Sequence, residues 1–69
     1  MLEAYGRFVL FKSDQEEPRS GTVVSVGEDV KEFIVGSIIY FSDYAAFHLD
    51  EHKGYFVVNR EHILAVENP

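Results

Sequence analysis

Cysteine is absent from the 69 residues. That excludes a disulfide framework, a zinc-thiolate site and a thiol nucleophile. Positive charge is scarce, with six Lys and Arg against 12 Asp and Glu and a formal net charge of −6. The cations Arg7, Lys12, Arg19, Lys31, Lys53 and Arg60 stand singly along the chain. With no basic cluster to neutralise a phosphate backbone, nucleic acid is not an expected partner. No apolar run approaches the roughly 18 residues of a membrane span. Met1-Leu2-Glu3 has neither the basic start nor the apolar stretch of a secretion signal. The expectation is a soluble, cytoplasmic protein without a membrane partner.

Apolar residues are plentiful. They make up 46% of the sequence, and the six Phe and four Tyr are too many for a disordered tail. A chain this short buries only about 60% of the surface its unfolded form exposes, so a single core is marginal. Without disulfides, self-association is the expected source of added stability.

No segment keeps a helical apolar period for three turns, whereas β-branched and aromatic runs recur between Gly, Asp, Asn and Ser clusters. The sequence predicts an all-β fold of about six short strands in one domain covering residues 1–69. Strands are expected over Tyr5–Lys12, Gly21–Val26, Ser37–Phe41, Ala45–Leu49, Tyr55–Asn59 and Leu64–Glu67. Ser13–Ser20 reads as a polar loop, Glu28–Gly36 as a connection and Ser42-Asp43-Tyr44 as a turn. Alternation in the fourth strand predicts Ala45, Phe47 and Leu49 facing inward, with Ala46, His48 and Asp50 outward. Asp50–Gly54 is expected to close a hairpin on a positive φ at Gly54, and Arg60–His62 to make one helical turn. This spacing of strands suggests a small barrel or sandwich.

Phe8-Val9-Leu10-Phe11 and Ile38-Ile39-Tyr40-Phe41 are apolar on both faces. Loops could cover the second face, but the favoured expectation is a neighbouring subunit, because exposed patches and free strand edges are commonly resolved by association.

Four segments together resemble the GroES-like co-chaperonins. Gly21-Thr22-Val23-Val24-Ser25-Val26-Gly27 fits that family's G-x-V-x-x-V-G pattern, and Val35-Gly36-Ser37-Ile38-Ile39-Tyr40-Phe41 is similar to its V-G-D-x-V-x-F segment, with Ser37 for Asp. Arg7-Phe8-Val9-Leu10 resembles its first-strand R-V-x-V, and His62-Ile63-Leu64-Ala65-Val66 its closing D-I-L-A stretch. The resemblance runs from Arg7 to Val66. It implies a partly open GroES-like β-barrel forming a homo-oligomeric ring, heptameric as in the family. The subunit interface would fall on Leu2, Ala4 and Tyr5 at one edge and Leu64, Ala65 and Val66 at the other. Gly27 and Gly36 would bracket a connection where the chain turns sharply or approaches another backbone.

The family contacts its chaperonin through a long mobile loop between the first two strands, carrying an aliphatic tripeptide. The corresponding loop here is short, acidic and free of aliphatic residues. The contact implied by the resemblance therefore falls on Asp14, Gln15, Glu16, Glu17 and Pro18. The family's roof hairpin has its place between Gly27 and Gly36, where only eight residues, Glu28–Val35, remain.

His48, Asp50 and His52, spaced i, i+2, i+4, would share one face of a continuous strand and form the one candidate metal site. The alternative is that the Asp50–Gly54 turn swings His52 away, and this is the expectation, so no metal and no cofactor are expected. No serine lies in a nucleophile motif, and Gly21–Gly27 lacks the lysine of a phosphate loop. The protein is read as non-enzymatic. Tyr44, beside Ala45 and Ala46, is expected at an exposed loop tip, where it could mark a contact site. Two functions remain open: a co-chaperonin subunit that caps a chaperonin, or a structural or assembly protein that keeps the barrel and ring but has lost that contact.

Overall fold

The structure, a computed structural model, describes residues 2–69, with Met1 outside the described residues. Its strands are β1 (Phe8–Lys12), β2 (Ser20–Val26), β3 (Ile38–Phe41), β4 (Ala46–His48), β5 (Tyr55–Asn59) and β6 (Ile63–Glu67). A 3-10 turn, Arg60–His62, joins the last two. All pairings are antiparallel, in a single sheet of order β4-β5-β1-β2-β3-β6.

Two short connections determine the sheet's shape. β5 and β6 hold the second and sixth positions, a separation of about 19 Å in a flat sheet at roughly 4.8 Å per strand. The 3-10 turn, rising about 2 Å per residue, covers less than half of that. Ser42–Ala45 likewise joins the fifth position to the first, and does so through a turn closed by the Ala45 N–H donating to Ser42 O at 3.2 Å. Both crossings require the sheet to curl until its ends approach. The result is a small, partly open, all-β barrel, as the sequence predicts.

Inside it, Val9, Phe11, Val23, Ile39, Phe41, Phe56 and Val58 form the buried core, joined by Val30 from the β2–β3 connection. The Phe11 ring lies 4.9 Å from Phe41 and stacks on Phe56 at 5.5 Å, centroid to centroid. Such pairs add about 0.5–1.5 kcal/mol beyond the area they bury. Gly21 makes room for this arrangement, since a Cβ there would overlap the Phe11 ring.

Three sequence expectations are corrected. The first strand begins at Phe8, not Tyr5, because Gly6 takes φ 62° and the Phe8 N–H turns back to donate to Tyr5 O at 3.1 Å. The last strand begins one residue early, at Ile63. The alternation in the fourth strand has the right period but the wrong phase at Ala46 and Phe47, and Ala46, expected outward, packs against the core. Ala46 and His48 are the register partners of buried Val58 and Phe56. Side chains directly opposite share a face, so Phe47 points outward and is 64% exposed.

The strands with two apolar faces divide. Val9, Leu10 and Phe11 are all buried within the chain itself. Leu10 is the register partner of Ser25, whose Oγ accepts the Ala4 N–H at 3.0 Å. The N-terminal segment therefore crosses the outer face beside Leu10 and helps to close it. On β3 only Ile39 and Phe41 are buried, leaving Ile38 and Tyr40 partly in solvent.

Candidate functional site

Ser13–Arg19 links β1 to β2 and is fastened at both ends. The Ser13 N–H donates to Gly54 O at 2.9 Å, and the Phe41 N–H to Arg19 O at 3.1 Å. Pro18 is buried. The Arg19 guanidinium grips the Asp43 carboxylate with two contacts, Nε to Oδ1 at 2.8 Å and Nη2 to Oδ2 at 3.3 Å. Between these anchors Asp14, Gln15, Glu16 and Glu17 are exposed, and none of the three acids forms an ion pair among the described residues.

Facing the loop is the β4–β5 hairpin. Two depressions separate them, of about 170 and about 580 Å³, and both are lined by Glu16, His48 and Phe56. The His48 ring leans on Phe56 at 4.9 Å. Tyr44 stands at the rim, 85% exposed and with φ 63°, as expected of a loop tip.

The candidate metal trio is not assembled. His48 Nδ1 meets Asp50 Oδ1 at 3.3 Å. The turn beyond, in which the His52 N–H donates to Leu49 O at 2.9 Å, sets the His52 ring edge-on to Tyr55 at 6.3 Å. Among the described residues no three His, Cys, Asp or Glu side chains gather as a metal site. No helix is long and apolar enough to cross a membrane among the described residues.

On the other side, β6 ends the sheet and, among the described residues, leaves one backbone edge unpaired. Leu64 is 73% exposed there, and Ala65 and Val66 are also exposed. Leu2, Ala4 and Tyr5 form no strand; Leu2 and Ala4 are half-buried and Tyr5 is exposed. Across the outer face, the Tyr40 hydroxyl donates to Glu67 Oε1 at 2.9 Å. That hydrogen bond, then the carboxylate's charge, raises the Tyr40 pKa above its ordinary value. In the β2–β3 connection Glu32 is held below the usual carboxylate range. The Lys31 N–H, 3.0 Å from Oε1, is the main cause, followed by the Arg60 guanidinium 2.6 Å from Oε2.

Comparison with known proteins matches residues 3–67 to the family described as Chaperonin 10 Kd subunit. The chain belongs to this family. A curated relative, Co-chaperonin GroES of Thermodesulfovibrio yellowstonii, is 36% identical over 53 residues, or 75% of this chain and 60% of the relative. The match thus spans less than two thirds of that relative's length. No solved structure matches the chain at a significant level.

The geometry explains the Chaperonin 10 motifs in this chain. Gly21 and Gly27, which bound G-x-V-x-x-V-G, both lack room for a Cβ, the first against Phe11 and the second against the Gly6 backbone. Ser37 is fully buried, with its Oγ donating to Asn68 Oδ1 at 3.4 Å. Gly36 turns the chain on φ 97° immediately before it. Sequence reasoning missed the parts of His48, Phe56 and Lys53 in facing the loop, because only the β1–β5 pairing brings segments some 40 residues apart together.

Proposed function

We propose that this chain is a co-chaperonin subunit, a non-enzymatic protein that assembles into a homo-oligomeric ring and assists folding by capping a chaperonin in the cytoplasm. The Chaperonin 10 match over residues 3–67 carries this reading, and the kinship to a GroES co-chaperonin supports it. The β6 edge, unpaired among the described residues and with Leu64 and Val66 in solvent, supports ring formation, since such an edge is a ready template for pairing with another chain. Leu64, Ala65 and Val66 would meet Leu2, Ala4 and Tyr5 of the next subunit, with seven subunits closing the ring. For that pairing the N-terminal segment must extend from its position beside Ser25.

Asp14, Gln15, Glu16 and Glu17 form the chaperonin contact in this reading, while Pro18, expected among them, is buried and holds the loop against the barrel instead. The test is to mix the protein with a chaperonin and ATP and to follow co-migration and ATP hydrolysis. Co-migration with slowed hydrolysis is expected. A ring that neither co-migrates nor slows hydrolysis overturns capping and leaves an assembly protein.

A further inference from the structure

We propose that the trough between the Ser13–Arg19 loop and the β4–β5 hairpin receives a segment of a partner protein that carries Lys or Arg beside an aliphatic side chain. This rests on reading the loop as a partner contact and adds the chemistry of what it contacts.

The larger depression, about 580 Å³, lies within the roughly 300–1,000 Å³ of ordinary ligand sites. Phe56, only 4% exposed, lies at its floor, and the exposed His48 ring packed on Phe56 completes an apolar patch suited to an aliphatic group. The rim is acidic. Asp14, Glu16 and Glu17 line it without ion-pair partners among the described residues. Arg19 and Asp43 cancel each other at 2.8 Å, so Lys53 is the cation that opposes the three acids. Tyr44, extended into solvent at the rim of the smaller depression, offers a ring face to a lysine or arginine head. An anionic or wholly apolar segment would leave those carboxylates unmatched. The complementary occupant is both basic and aliphatic.

The loop's anchoring favours docking over insertion. Burial of Pro18 and the Arg19–Asp43 clasp hold the loop against the barrel, and it carries no aliphatic residue to insert elsewhere. The partner must bring the apolar group.

The test uses the full chain, ¹⁵N-labelled, and an acetylated heptapeptide of alternating leucine and lysine, with a leucine-glutamate peptide as control. Saturable amide shifts confined to residues 13–19 and 44–56 are expected for the basic peptide alone. Glu16→Lys with Glu17→Lys should weaken binding about tenfold or more. Glu3→Lys with Glu28→Lys, the same charge change elsewhere, should leave it nearly unchanged. Equal loss in the two double variants, equal binding of the acidic peptide, or shifts scattered over the barrel would overturn the proposal. A preserved amide spectrum away from the loop shows that each variant is folded. No chaperonin enters this experiment, so chaperonin binding without peptide binding sinks the trough alone, and the reverse outcome sinks only the capping role.

Discussion

Gly27 lies so close to Gly6 that a single methyl group on Gly27 would overlap the Gly6 carbonyl oxygen. The same oxygen accepts the Asp29 N–H at 3.0 Å, and the Gly27 N–H donates to Phe8 O at 2.9 Å. This contact fastens the N-terminal segment to the turn that follows β2.

Gly27→Ala should therefore cost about 1–3 kcal/mol, the usual range for overpacking, and the obstacle is backbone that cannot rotate aside. At about 0.05–0.15 kcal/mol per residue the whole chain has roughly 3–10 kcal/mol to lose. Gly6→Ala meets open space but keeps φ 62°, and should cost about 1 kcal/mol. Urea unfolding with unchanged slope measures both, and Gly27→Ala should show the lower midpoint.

Glu32 gives the acid limb of stability a defined sign. Its folded pKa lies below the ordinary 4.5, so its contribution is complete above that value and is lost as pH falls through the lower, folded pKa. The melting temperature of Glu32→Gln should fall less steeply than that of the parent below pH 4.5. Arg60→Gln removes the second cause and should change the slope in the same direction by a smaller amount. Melting curves from pH 3 to 6 make the comparison.

Tyr40 behaves in the opposite sense. Glu67 stabilises its neutral hydroxyl and raises its pKa above 10.0. Stability from this pair is present below pH 10 and is lost as pH rises through the raised value. In an ultraviolet titration Glu67→Gln should move the Tyr40 ionisation to lower pH than in the parent.

Leu64→Asp separates assembly from folding better than Val66→Asp. Leu64 is 73% exposed, whereas Val66 is the register partner of fully buried Ile39. Light scattering on a sizing column should show Leu64→Asp shifted toward monomer with its melting curve little changed, and Glu16→Ala assembled like the parent. Equal effects would contradict the β6 interface.

The strand inventory was legible because β-branched and aromatic runs and their punctuation are local properties. All six strands, the Gly54 hairpin and the 3-10 turn at Arg60–His62 lie close to the sequence-based positions. Facing was legible where a pairing did not have to be known. Phe47 was misread because its face depends on lying opposite Val57 rather than Val58, and nothing within Ala45–Leu49 records that register. The closure of Leu10 depends on Ala4 reaching Ser25, a contact between segments 21 residues apart. Of the candidate site, the acidic loop was plain in the sequence, whereas its opposing wall of His48 and Phe56 needed the β1–β5 pairing.

The place of β1 between β2 and β5 also has a consequence for biosynthesis. One side of β1 is satisfied by the next strand in the chain, but the other waits for Tyr55–Asn59. At about 5–20 residues per second a ribosome needs several seconds to pass from one to the other. Throughout that interval β1, whose Val9, Leu10 and Phe11 are all buried in the finished fold, lacks the strand that pairs one of its two edges.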